Sequence, residues 1–251
     1  MSGQSSERRT GPVTSLEDPP PLATDGIADG IVFKDRHDAG RRLATLLERF
    51  GGERPVVVGI ARGGVPVAAE VARALDAPLD VAVVRKIGAP QNPEYAIGAL
   101  AEGGVHVLSE PVVRALGLTD GELEALIARV ERELRERLHR YRDAREPVEL
   151  AGRTVILVDD GLATGRSALA AVRSLRKRGA ARVILAVPVA APDSVGALRD
   201  EADGVVCVQM PADLWAVGQW YEDFSPTTDE EVTALLAATT ITTPEEIHNA
   251  E

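Results

Sequence analysis

Val155-Ile156-Leu157-Val158-Asp159-Asp160-Gly161-Leu162-Ala163-Thr164-Gly165-Arg166-Ser167 is the stretch that decides the fold. Its apolar, mostly β-branched start predicts a strand buried on both faces, as in a parallel sheet covered by helices. The strand runs into adjacent carboxylates, then a small-residue turn with hydroxyls at Thr164 and Ser167, then the start of a helix. Backbone N–H groups at such a helix start point outward with the positive end of the helix dipole, which suits a phosphate. Gly165 lets the backbone approach closely. Carboxylates beside a phosphate repel it unless hydroxyl donors or a Mg²⁺ lie between. The spacing disfavours a Walker-type P-loop kinase or NTPase: Gly161 and Gly165 have three residues between them, and Arg166 stands where the lysine belongs.

Outward from this turn the chain alternates between strands and helices. Strands are predicted at Pro55–Ile60, Pro78–Val84, Val183–Pro188 and Val205–Val208, with helices at His37–Phe50, Val65–Leu75, Arg166–Arg178 and Asp193–Glu201. The pattern predicts an α/β fold with a parallel sheet covered on both faces and a ligand site beyond the carboxyl ends of its strands. Residues 86–152 break the rhythm with a Gly/Pro-rich loop, a hairpin (Tyr95–Leu100 with Val105–Leu108) and one long helix from Thr119 to Arg145. Thr119 and Glu122 form a capping box. Leu123, Ile127, Val130, Leu134, Leu138 and Tyr141 make an apolar stripe, and Glu131/Arg135 and Glu133/Arg137 pair on the outer face. The stripe packs either on its own domain or on a second subunit, which would make a homodimer. Residues 1–30 and 241–251 read as loose tails around one domain at 31–240.

Composition narrows the partners. The 251 residues carry 39 acidic and 28 basic side chains, a net charge of -11, which argues against non-specific nucleic-acid binding. A local basic pocket for an anionic metabolite remains compatible with that charge. No early signal segment and no apolar run of ~20 residues is expected, so neither export nor membrane insertion is anticipated and the cytoplasm is the expected compartment. Cys207, alone in an apolar run, reads as a buried strand residue. Aromatics make up only 3% of the chain, so the cluster Trp215, Trp220 and Tyr221 stands out.

The turn closely resembles the phosphoribosyl pyrophosphate (PRPP) signature of type I phosphoribosyltransferases, and with its flanking pieces the likeness covers about 31–225. The resemblance implies a Rossmann-like core with a small hood at 210–225 and an inserted loop-plus-helix segment. It implies Mg²⁺-dependent transfer of 5-phosphoribosyl from PRPP to a nitrogenous base. It places Asp159 and Asp160 on the ribose hydroxyls, holding Mg²⁺–PRPP directly or through water, and Ala163, Thr164, Gly165, Arg166 and Ser167 around the 5′-phosphate.

The supporting pieces resemble other parts of that family. Ala61-Arg62-Gly63-Gly64 looks like the pyrophosphate loop. Arg85-Lys86, after a strand, would neutralise the leaving pyrophosphate, which is electrostatic stabilisation of the transition state. Ile87–Ile97 resembles the mobile loop that closes over the reaction and excludes water. The segment from Asp213 to Asp223 looks like the hood of hypoxanthine-guanine-type enzymes, with Trp215 stacking on a purine, Ala216 beside it and Glu222 at the acidic position; these rings could equally close the core. One departure counts against a simple transfer of roles: Ala163 replaces the aspartate those enzymes carry in the turn, which instead resembles the adenine type. A purine is favoured without being identified. A non-catalytic PRPP- or nucleotide-binding regulator on the same fold is the alternative.

Overall fold

The computed structural model describes residues 30–142 and 146–239. The two expected tails, apart from Gly30, and the end of the long helix at 143–145 lie outside the described residues. A seven-stranded sheet runs in the order β4-β3-β2-β1-β5-β6-β7. Its parallel part comprises β1 (Val56–Ala61), β2 (Leu79–Ala89), β5 (Thr154–Val158), β6 (Arg182–Val189) and β7 (Gly204–Gln209). The expected strands are all present, and Cys207 is buried in β7, its thiol pushed up to about 12 by burial.

The remaining strands, β3 (Asn92–Ala101) and β4 (Val105–Leu108), add to the β2 edge in antiparallel fashion. The expected β3–β4 hairpin is therefore present. The segment 87–97 differs from expectation: it is no loop but the tip of a second hairpin, with β2 continuing to Ala89 and pairing with Asn92 across a two-residue turn. Its glycine has a steric reason. A Cβ on Gly88 would stand 2.7 Å from Pro93 Cα, so only glycine lets the strands close at this irregular register.

Helices cover both faces. On one lie α1 (Arg36–Leu47), α2 (Gly64–Ala74), α4 (Asp120–Arg142) and α7 (Asp229–Ala238), around a core that includes Leu43, Val67, Val81 and Ile156. On the other lie α5 (Arg166–Lys177) and α6 (Pro192–Leu198), packed over Val58, Leu157 and Leu185. A short α3 (Glu110–Ala115) follows β4. Each such buried aliphatic side chain contributes about 1.5–3 kcal/mol.

The long helix resolves the question its stripe posed. Thr119 and Glu122 cap each other as expected, with Thr119 N–H donating to Glu122 Oε2 at 2.9 Å. Val130, Leu134 and Tyr141 are buried, Leu123, Ile127 and Leu138 pack partly buried beside them, and Leu126 joins them, all against the chain's own core. Glu131 pairs with Arg135 at 2.9 Å, but Glu133 turns to Arg85 instead of Arg137. At its far end Arg142 bonds Glu102 at 2.5 Å and lies 3.8 Å from the buried Asp80, which fixes the helix to β2.

Because β1 and β5 are neighbours whose following helices, α2 and α5, cover opposite faces, a crevice opens at their carboxyl ends. Such a switch point is where ligands bind in open α/β sheets.

Candidate active site

β5 ends at Val158, and the turn that follows is fastened to β6. Leu162 N–H donates to Val189 O at 2.8 Å, Ala191 N–H returns to Leu162 O at 2.9 Å, and Ser194 Oγ donates to Ala163 O at 2.5 Å. With its carbonyls held from behind, the turn exposes Ala163, Thr164 and Ser167 at its front. Gly165 has φ 72°, a left-handed conformation that favours glycine, and it starts α5 with no side-chain cap. The first N–H groups of that helix are free of a side-chain acceptor, and the two exposed hydroxyls stand beside them. The arrangement suits an anion.

The β1–α2 turn, Arg62-Gly63-Gly64, lies directly against this one. A Cβ on Gly63 would overlap Asp160 Oδ2, and one on Gly64 would stand 2.6 Å from Val158 O. Neither position tolerates a side chain without moving the carboxylate turn. The glycines therefore set the distance between the two turns, and Arg62, whose peptide with Ala61 is cis, rises from this junction.

Asp159 and Asp160 share one side-chain cation. Arg36 Nε lies 2.9 Å from Asp160 Oδ2, its guanidinium stacks 3.9 Å from the Phe224 ring centroid, and its Nη1 donates to Ser225 O at 2.7 Å. Asp160 N–H donates to Asp159 Oδ1 at 2.9 Å, and Tyr221 OH donates to Asp160 O at 2.6 Å. Burial pushes both carboxyls up: Asp159 well above the carboxylate range, with the charge on Asp160 adding to the effect, and Asp160 less far, with Arg36 opposing. Burial likewise raises the Tyr221 phenol, so it stays a donor. Two crowded carboxyls with one counter-cation are a site that hydroxyl donors or a divalent cation would stabilise. Among the described residues no group of three or more His, Cys, Asp or Glu could hold a metal ion. A Mg²⁺ carried by a phosphorylated ligand needs only one or two protein carboxylates, which this pair offers.

Arg36 escaped the sequence-based expectations, and so did the contacts that Tyr221 and Val217 of the hood make with the turn. Arg36 left one signal, because a cation in the first turn of a helix opposes the dipole and calls for another partner. The contacts of Tyr221 with Asp160 and of Val217 with Gly161 left none, since they join segments far apart in the chain. A Cβ on Gly161 would overlap Val217, so the hood segment rests on the turn at that point.

The other expected residues do not all gather at the carboxylate pair. Arg85 and Lys86 do not follow a strand end: both lie inside β2, where consecutive side chains take opposite faces. Arg85 Nη2 bonds Glu133 at 2.6 Å and Lys86 Nζ bonds Glu94 at 2.9 Å, so neither is directed at the carboxylate pair. Arg62 lies 3.9 Å from Asp229 on α7. Arg166 opens α5 and lines a cavity of about 420 Å³ with Thr164, Gly165 and Leu108. In the hood the two tryptophans divide. Trp220 is half-buried beside Ile31 and Phe33, whereas Trp215 is 85% exposed and Ala216 and Glu222 are exposed with it. Core closure thus accounts for Trp220 and Tyr221 and leaves Trp215 outside.

Comparison with known proteins agrees with this architecture. The phosphoribosyl transferase domain family matches residues 35–223. A provisionally named phosphoribosyl transferase of Mycobacterium tuberculosis H37Rv, Rv0571c, is 48% identical over 205 residues, 82% of this chain and 46% of that protein. The chain thus spans about half the length of the curated relative. A uracil phosphoribosyltransferase of Staphylococcus haemolyticus is 34% identical over 127 residues, 46% of this chain and 58% of that protein. The crystal structure of TT1426 from Thermus thermophilus is 48% identical and superposes with a TM-score of 0.71, covering 83% of this chain and 99% of that one.

Proposed function

Because the chain belongs to the phosphoribosyl transferase domain family, we propose that it transfers the 5-phosphoribosyl group of PRPP to a nitrogenous base and releases pyrophosphate. The C1–O bond to pyrophosphate breaks, a C1–N bond to the base forms, and the base gives up its N–H proton. The observation that carries this is the contact between the two glycine turns. Gly63 can stand against Asp160 only without a side chain, so a pyrophosphate-binding turn and a ribose-binding carboxylate share one crevice.

The residues then divide by chemistry. Thr164, Ser167 and the first N–H groups of α5 take the 5′-phosphate. Asp159 and Asp160 accept from the ribose 2′- and 3′-hydroxyls, and Arg36 holds Asp160 in place. Mg²⁺ carried in with PRPP would lower the charge on the leaving pyrophosphate, and Asp159 and Asp160 would hold it, directly or through water. No side chain needs to attack the ribose, because alignment of base and ribose plus charge stabilisation suffices for a displacement at C1.

The acceptor is a base held under the hood. Likeness of the hood favours a purine, and Trp215 is 85% exposed, so its ring is packed on no neighbouring core. A relative whose name gives a base, that of Staphylococcus haemolyticus, is a uracil enzyme, so pyrimidines belong beside purines among the acceptors to be tried. Ala163, where an aspartate would handle the base proton, favours a second reading: a regulator that binds PRPP or a nucleotide without turnover.

The deciding experiment is pyrophosphate release from Mg²⁺–PRPP across a panel of purines and pyrimidines, with Asp160→Asn as control. Release with one base, lost in the variant, is the expected result. Tight PRPP binding with no release from any base would turn the assignment to the regulator.

A further inference from the structure

The assigned chemistry leaves the pyrophosphate short of cations, since Arg85 and Lys86 are each bonded to a carboxylate elsewhere. On the reading above, we infer that the inserted helix α4 supplies them: Arg137 and Arg140, together with Arg62 of the glycine turn, form the pyrophosphate-binding cluster. These three arginines converge on a single carboxylate, Asp229 at the start of α7. Arg62 Nη1 lies 3.9 Å and Arg137 Nε 3.8 Å from the same oxygen, Oδ1, while Arg140 Nη1 bonds Oδ2 at 2.5 Å. Asp229 is nearly buried and also accepts from Tyr141 OH at 2.5 Å. Among the described residues, three guanidinium groups against one carboxylate leave two positive charges uncompensated. Among the described residues, neither Glu230 nor Glu231, its neighbours on α7, lies within ion-pair distance of these arginines.

Position supports the assignment. Glu133, Arg137 and Arg140 follow one another at four- and three-residue spacing and so share one face of α4. That face meets Arg85 of β2 through Glu133 and Arg62 of the β1–α2 turn through Asp229. Glu133 thus holds Arg85 back while the next two arginines reach the glycine turn. Arg62 and Arg140 remain 39% and 61% exposed, so an incoming anion can meet them. A diphosphate has two or more charges and matches paired guanidinium forks. Asp229 acts as its surrogate in the free protein, holding the arginines converged and giving them up in part when pyrophosphate arrives.

The test is calorimetric titration of the full-length protein with inorganic pyrophosphate plus Mg²⁺, and separately with ribose 5-phosphate. Arg137→Gln and Arg140→Gln are each expected to weaken pyrophosphate binding about tenfold and leave ribose 5-phosphate binding unchanged, which also controls for folding. Asp229→Asn removes the competing charge and is expected to tighten pyrophosphate binding severalfold, an effect opposite in sign to simple loss of a structural contact. Lys86→Gln should leave both titrations as they are. Wild-type protein that binds neither PRPP nor ribose 5-phosphate removes the underlying assignment and this inference with it. Normal ribose 5-phosphate binding with pyrophosphate affinity unchanged in both arginine variants, or weakened in Asp229→Asn, overturns the α4 cluster alone.

Discussion

Asp159-Asp160 after β5 and Arg85-Lys86 in β2 are both pairs of adjacent like charges that follow an apolar strand-forming run, and of the two only the first occupies a turn. β5 stops at Val158, so its carboxylates enter the crevice together. β2 continues past Lys86 because β3 folds back and hydrogen-bonds to it as far as Ala89. Inside a strand, neighbouring side chains part to opposite faces. Arg85 therefore meets α4 through Glu133, and Lys86 meets Glu94 on the adjoining hairpin strand. Adjacency along the chain becomes adjacency in a site only where the strand ends, and a partner strand decides where that is.

The contrast can be broken at either pair. The largest effect is expected from Asp160→Asn, which removes the charge that Arg36 meets and that the ribose hydroxyls meet on the proposed function. Turnover should fall about 100-fold or more while the circular dichroism spectrum is kept. A variant with wild-type turnover would remove the carboxylate pair from the chemistry. Next is Gly63→Ala. Gly63 has ordinary right-handed helical angles, φ -60° and ψ -30°, so alanine is conformationally acceptable and its effect is purely steric. Its methyl must push Asp160 away, at a cost of about 1–3 kcal/mol, which should appear as at least a tenfold loss of PRPP affinity by calorimetry. Unchanged affinity would mean that the spacing of the two turns is not used.

Asp159 offers a test through pH. Burial and the neighbouring carboxylate raise its folded-state pKa well above the ordinary carboxyl value. Between those two values the folded state binds more protons than the unfolded one, so stability falls as pH rises through that window. Asp159→Asn cannot ionise; it should flatten this slope and raise the melting temperature at pH 7 above that of the wild type. Melting curves from pH 4 to 8 check it, and a variant as steep as the wild type would assign the slope to another group. The smallest effect belongs to Lys86→Gln. Its ion pair with the 91% exposed Glu94 is worth about 0–1 kcal/mol, and turnover should stay within about threefold of wild type. A loss as large as that of Asp160→Asn would erase the contrast between the pairs.

The amino-acid sequence by itself determined the parallel strands, the helices between them and the glycine turn after β5. Those are set by local causes: β-branched runs, 3.6-residue periodicity, capping residues such as Thr119 and Glu122, and glycine where the backbone turns. It also made the long helix and its stripe visible, but not what the stripe covers. Tertiary structure decided everything that depends on a distant partner. Pairing with β3 turned an expected loop into a hairpin and took Arg85 and Lys86 away from the crevice. Packing on the core used the α4 stripe within the chain and brought Arg137 and Arg140 to Asp229. Closure of the 221–225 segment over α1 set Arg36 between Asp160 and Phe224, 124 positions apart in sequence from the carboxylate it holds. Side-chain type and spacing record what a residue can do, whereas the identity of its partner is a property of the folded chain, because long-range contacts leave no periodic trace in the sequence.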